Sequence, residues 1–253
     1  MISVVIIGSG NVAQHLISAF AKSDTVEVIQ VFSRTVDTSI KNIDSSKIIS
    51  AFYQLKAADL YIISVTDKAI AEVSAQIPFE NQLVVHTSGS VAISALNSKN
   101  RRGVFYPLQT FTKNKPVDFG EIPICLEAEN EKDYQLLETV GKSISDKIFP
   151  INSEQRKALH VAAVFVCNFV NHLYEIGNEI CKENEIPFEI LQPLIQETAA
   201  KIMTLSPTEA QTGPAKRNDT QTINTHLNFL SNDTQKEIYK ILTKSIIDNG
   251  KKL

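Results

Sequence analysis

The chain has no tryptophan, two methionines and only three cysteines in 253 residues. Cys125, Cys167 and Cys181 are odd in number and share no close-pair spacing. That pattern speaks against a disulfide framework, so free thiols in a reducing cytoplasm are the expectation. The five histidines show no ligand spacing, and no metal is expected. Charge is also unremarkable: 25 basic residues face 28 acidic ones for a net −3, with no basic block. Neither nucleic acid nor a membrane surface is therefore an expected partner. No apolar run reaches a membrane span, since the richest, 158–170, carries His160 and Asn168 and is too short. The apolar start, 1–7, lacks a basic leader and does not read as a signal peptide. What remains is an ordinary soluble mixture, 43% hydrophobic and 21% charged, long enough for two domains.

The apolar start carries the strongest signal. It runs into Gly8-Ser9-Gly10-Asn11-Val12-Ala13, and Leu16, Ile17 and Phe20 follow at helical spacing. Strand, glycine turn and helix in that order form the context of a dinucleotide fingerprint. Gly8 permits the tight turn, Gly10 lets backbone approach a pyrophosphate, and Ala13 keeps helix and strand close. The helix N-terminus then faces the phosphates. A second strand, 26–32, ends in Ser33-Arg34-Thr35, where an NAD site usually places an acid. A guanidinium among hydroxyls suits a 2′-phosphate, so NADP is expected rather than NAD. Asp37 is the rival acid, and a solvated loop charge is the plainer reading of Arg34.

Up to about Pro150 short apolar runs alternate with helical stretches. Strands are predicted at 47–49, 60–65, 83–86, 103–106, 121–126 and 147–149, with helices at 68–77 and 131–141 among them. The expected fold is α/β: a Rossmann-type, mostly parallel sheet domain over 1–151. An all-α domain over 152–253 follows. Ser153 is its predicted N-cap, opening a helix to about Asn184. A helix over 187–205 has a kink expected at Pro193, and Ser206-Pro207-Thr208-Glu209 reads as a capping box. After a loop at 212–219, two short helices end the chain.

Ligands of open parallel sheets lie beyond the carboxyl ends of strands. There the chain offers Ser64-Val65-Thr66 for the cofactor ribose or pyrophosphate, and His86-Thr87-Ser88-Gly89-Ser90 for its nicotinamide end. Helix capping is the plainer reading of Ser88 or Ser90 alone. Tyr106 and Gln109 follow in Tyr-Pro-Leu-Gln-Thr-Phe. On the long helix Lys157, His160, Asn168 and Asn171 fall within an arc of roughly 80° at about 100° per residue. A helix apolar on its other sides is expected to be buried, so this stripe should meet a partner or a wet cleft. A satisfied core histidine is the alternative for His160. In Thr212-Gly213-Pro214-Ala215-Lys216-Arg217-Asn218-Asp219, Asp219 reads as an N-cap. Arg217 reads as an anion ligand or as part of a solvated connector.

Taken together, GSGNVA (8–13), HTSGS (86–90), YPLQTF (106–111), LHVAAVFVCNFVNHL (159–173) and TGPAKRND (212–219) resemble one bacterial family along essentially the whole chain. It is a family of Rossmann-like proteins with a helical C-terminal domain of unknown function, provisionally labelled NADP-dependent oxidoreductases. More distantly the layout is similar to pyrroline-carboxylate reductases, ketopantoate reductases, prephenate dehydrogenases and hydroxyacid dehydrogenases. The resemblance implies cofactor in the first domain, dimerisation through the second and substrate in the cleft between. It carries Gly8, Gly10 and Ala13 over as the fingerprint and Arg34 as a 2′-phosphate ligand. Tyr106-Pro107 stands where prephenate dehydrogenases have His-Pro, so that acid/base histidine is not carried over. Lys157 and His160, with Asn168 further on, do not match the Lys/Asn spacing of hydroxyacid dehydrogenases.

The resulting expectation is an NADP-dependent reductase or dehydrogenase of a small carbonyl or imine. Its proton donor would be His160, with His86 and Tyr106 behind it, because histidine titrates near neutrality. Asn168 would orient substrate, with Gln109, Asn171 and Arg217 as further contacts. A cytoplasmic homodimer is expected. The alternative is a non-catalytic NADP-binding redox sensor or partner-binding protein, which the same fold permits.

Overall fold

The structure, a computed structural model, describes residues 1–34, 40–113 and 115–250. Thr35 and Asp37 lie outside them. The chain divides into two compact units, Met1–Cys167 and Asn168–Leu253. The sheet ends at Pro150, and the division falls inside the long helix beyond it.

The first unit is built on eight strands among the described residues: β1 (Ile2–Ile7), β2 (Val26–Phe32), β3 (Ile48–Ile49), β4 (Leu60–Ile63), β5 (Leu83–His86), β6 (Arg101–Pro107), β7 (Ile124–Ala128) and β8 (Ile148–Pro150). Their spatial order is β3-β2-β1-β4-β5-β6-β7-β8. All neighbours pair in parallel except β6 and β7, which run antiparallel. The order reverses between β1 and β4, which puts a topological switch point beside the glycine turn.

Why the central strands read as continuous apolar runs is visible in their packing. Val4 and Ile6 of β1, Leu60 and Ile62 of β4, and Leu83 and Val85 of β5 face one core. Val5 and Ile7, Tyr61 and Ile63, and Val84 face the other. Side chains alternate across a strand, so a sheet covered on both faces needs apolar residues at every position. The first face takes the buried stripe of α1 (Asn11–Phe20), namely Ala13, Leu16, Ile17 and Phe20, together with Leu137 and Val140 of α3 (Glu131–Lys142). The second takes Ile70 of α2 (Ile70–Gln76). Cys125 is buried on β7.

Several expectations need correction. The long helix, α4 (Ser153–Ala163), is capped by Asn152, whose side chain accepts from Gln155 N–H in a capping box; Ser153 is already helical. The helix does not run on as uniform α. Val164–Phe169 forms a π segment before α5 (Val170–Glu183). Pro193 kinks nothing, because it occupies the first turn of α6 (Gln192–Lys201), where proline's missing N–H costs no helical bond. A 3-10 turn, Phe188–Leu191, precedes it. After α7 (Pro207–Ala210) and α8 (Thr220–Phe229), the last helix, α9 (Asp233–Gly250), has 18 residues and is not short. Within this unit Gln235 Nε2 donates to Glu179 at 3.1 Å, tying α9 to α5.

The long helix is not buried along its apolar run either. Val161, Phe165, Val166 and Phe169 are exposed, Val166 by 72%. Over Ser153–Glu183 it is also long and apolar enough, by length and composition alone, to cross a membrane, which counting only the shorter run 158–170 had missed.

Candidate active site

The glycine turn has the geometry its residues suggest. Gly8 has φ +129°, and a Cβ there would lie 2.0 Å from Ser64 O at the end of β4. Only glycine fits this turn. Gly8 N–H donates to Phe32 O at 2.9 Å, joining the turn to the end of β2. Gly10 caps α1 without a side-chain hydrogen bond, and a Cβ on it would meet nothing within 4 Å. Gln14 N is the first to reach back to Gly10 O, and the first turn of α1 holds no acid. Unbonded N–H groups at a positive dipole end therefore face open space, the environment a pyrophosphate needs.

The candidates around this turn separate into two kinds. Arg34 is exposed and makes no ion pair or hydrogen bond among the described residues, leaving its guanidinium free for a phosphate. Thr66 is exposed; Val65 and Val12 are half-buried, each against the core on its own side of the sheet. Ser33, by contrast, is buried and donates to Ser9 Oγ at 3.0 Å. Ser64 is buried too, and Thr87 Oγ1 donates to its Oγ at 3.3 Å. Asn11 Nδ2 reaches Phe111 O at 3.0 Å. These residues hold the loops together. Thr35 lies outside the described residues.

At the end of β5 the loop 86–91 is organised from within. His86 is fully buried, and its Nδ1 accepts from Ser88 N–H at 3.2 Å. Burial, with the nearby Arg156 guanidinium adding to it, pushes its pKa down to about 4, so the ring is neutral. This corrects its candidacy as an acid: a proton at neutral pH would have no solvation there. Ser88 Oγ accepts from Ser90 N and Val91 N, both at 3.1 Å, which folds the loop on itself; no helix starts there, so Ser88 is not the N-cap it could have been.

Beside this loop the structure brings two predicted residues together. Tyr106 Oη and His160 Nδ1 are 3.1 Å apart, and their rings meet edge to face. Gly89 makes the room. A Cβ there would lie 2.5 Å from His160 Nδ1 and 2.9 Å from Tyr106 Cζ. Burial pushes the Tyr106 phenol up to about 12, so it stays protonated.

Sequence reasoning missed the group that holds this arrangement. Arg156, 1% exposed, donates from Nε to Ser88 O at 3.1 Å and from Nη2 to Val91 O at 2.5 Å. Its Nη1 pairs with Glu127 of β7. Ser153 Oγ donates to the same carboxylate at 2.8 Å and accepts from Ile93 N–H at 3.1 Å. The available signal was position: Arg156 stands one helical turn before His160, on the same face of α4.

Of the other candidates, one is in the first unit. Gln109 is exposed, and its Oε1 accepts from Thr110 N–H at 2.8 Å. Asn168, Asn171 and Arg217 belong to the second unit and are exposed. The 80° stripe assumed a constant angular step, which the π segment between His160 and Asn171 breaks.

Comparison with known proteins decides the class. Residues 3–97 match the family described as NADP oxidoreductase coenzyme F420-dependent, and residues 122–246 match a domain of unknown function (DUF2520). A solved protein of Bacteroides fragilis, provisionally named an NADP oxidoreductase, is 38% identical over 98% of each chain, with a TM-score of 0.88. The chain belongs to the NADP oxidoreductase family. Its cofactor is accordingly NADP, and the turn at Gly8–Gly10 with the free Arg34 has the chemistry to hold it. The oxidoreductase also shares its fold with a Thermotoga maritima protein (20% identity, 98% of each chain, TM-score 0.76). A third relative in fold is the pyrroline carboxylate reductase of Plasmodium falciparum, solved with NADP bound (14% identity, 99% of this chain and 97% of that one, TM-score 0.65). No curated protein matches the chain.

Proposed function

We propose that this oxidoreductase moves a hydride between the nicotinamide of NADP and the carbon of a small carbonyl or imine, with His160 as the proton donor. The observation that carries the reading is the Tyr106–His160 hydrogen bond, seated against the Gly89 backbone. The bound cofactor supplies the hydride in the reducing direction. With Nδ1 engaged by the phenol, Nε2 is the nitrogen left to give a proton to the substrate oxygen or nitrogen. The imidazolium gives up that proton and remains as the neutral ring, its Nδ1–H donating to Tyr106 Oη. Tyr106 thereby fixes which nitrogen acts. Gly8, Gly10 and the first turn of α1 cradle the pyrophosphate, and Arg34 holds the 2′-phosphate.

Fluorescence titration with NADPH and NADH tests the cofactor half. The expected result is tighter NADPH binding, with the preference erased by Arg34→Ala. Turnover of small oxo acids and cyclic imines across pH tests the rest. His160→Ala should abolish one limb of the pH profile while leaving NADPH binding intact. Tight NADPH binding with no turnover of any substrate would instead favour a non-catalytic redox sensor.

We also propose that the exposed apolar residues of the long helix are covered by a second copy of the chain. Lipid is the poorer cover, because His160, Asn168, Asn171 and His172 interrupt the run.

A further inference from the structure

The first unit has a second concave site, on the face of α1 turned away from the sheet. It encloses about 760 Å³ between α1, the segment at 41–42, Lys113, the loop 115–120 and the end of α3. That volume lies within the range of small-molecule sites. Four lysines line it, Lys22, Lys41, Lys113 and Lys115, against one carboxylate, Asp118. None of the four side chains makes an ion pair or hydrogen bond among the described residues. The chain as a whole carries a net −3, so this concentration of cations is not a background of basic residues.

The walls that carry the lysines are fastened to α1. Asn42 Nδ2, next to Lys41, donates to Ser18 Oγ at 2.9 Å. On the other side His15 Nε2 meets Thr112 O at 3.2 Å, and Asn11 Nδ2 donates to Phe111 O at 3.0 Å, just before Lys113. The His15 and Phe111 rings are 4.9 Å apart. The lining is also partly apolar: Ala19, Val117, Phe119 and Ile144. A ligand that carries both phosphates and a flat ring matches the two kinds of lining. Ammonium groups bind phosphate as point charges, and an apolar floor takes a base.

We propose that this groove is a second site, adjoining the NADP site at Asn11, that binds a nucleoside phosphate. Asn11 belongs to both regions, being the first residue of α1 after Gly10 and a wall of the groove. A ligand in the groove therefore bears on the helix end that faces the pyrophosphate and on the loop that follows Gln109.

Calorimetric titration of ATP into protein already saturated with NADP tests this. The expected result is ATP binding that persists under NADP saturation. It should weaken at least tenfold in Lys22→Glu/Lys113→Glu, fall as salt rises, and leave NADPH affinity within twofold of wild type. Both lysines are exposed, so the variant should fold, which circular dichroism checks. Three results would overturn the proposal: no heat with ATP at millimolar concentration, ATP binding abolished by NADP, or ATP binding unchanged in the charge reversal. Pyrophosphate binding as tightly as ATP would overturn the nucleoside part. Binding of an acidic peptide but not ATP would reassign the groove to a protein partner.

Discussion

His86 and Gly89, three residues apart, show how one loop carries two kinds of constraint. His86 is buried neutral, its ring sealed from solvent. Its folded pKa, about 4, lies below the ordinary 6.5, chiefly through burial. Between these values the unfolded chain takes up a proton that the folded chain refuses. Its contribution to stability is therefore whole above pH 6.5 and is lost as pH falls toward 4, a difference on the order of 3 kcal/mol. In His86→Asn, whose amide oxygen can still accept from Ser88 N–H, that part of the decline should vanish. Urea unfolding at pH 7.5, 5.5 and 4.5 reads it; an equal decline in both proteins would place the loss elsewhere. Gly89 is constrained by space. In Gly89→Ala the methyl must push His160 or Tyr106 aside, so turnover should fall at least tenfold while NADPH affinity stays within twofold. An unaltered rate would remove the Tyr106–His160 pair from the chemistry.

At the scale of elements, the buried Arg156 joins β7, the loop after β5 and α4 through one guanidinium. Removing it leaves Glu127 without its cation and two loop carbonyls without donors. Arg156→Met should cost about 3–5 kcal/mol, the usual penalty for breaking a buried pair from one side. Thermal unfolding measures it, and Glu127→Gln should cost less because its amide can still accept from Arg156. A loss below 1 kcal/mol would mean that water replaces the network. The π segment is the other feature of this scale. An extra residue in one turn alters the phase of everything after it, so a polar stripe drawn at a constant step cannot survive the insertion.

For the whole molecule the decisive observation is apolar surface that the chain leaves uncovered. Val161, Val166, Ile190, Leu194, Met203 and Ile241 are all more than half exposed. If a second copy covers the long helix, light scattering should give twice 28.0 kDa, and Val166→Glu should shift the mass toward one copy. A wild-type monomer at tens of micromolar would refute the pairing.

The sequence by itself determined the sheet domain and its nucleotide turn, because both are written in local chemistry. Continuous apolar strands require cover on both faces, and a glycine before a helix start leaves its N–H groups free. Tyr106 and His160 were each legible as candidates, since their residue types announce what they can do. Only the tertiary structure decided that these two meet while His86 is sealed in the core. Burial and proximity are set by which elements pack together, and no local pattern encodes that. The same reason hid Arg156. Its side chain reads as a surface charge on an amphipathic helix until β7 brings Glu127 against it. The groove over α1 was invisible for the same cause, as its four lysines come from three separate stretches of chain that converge only when the sheet forms.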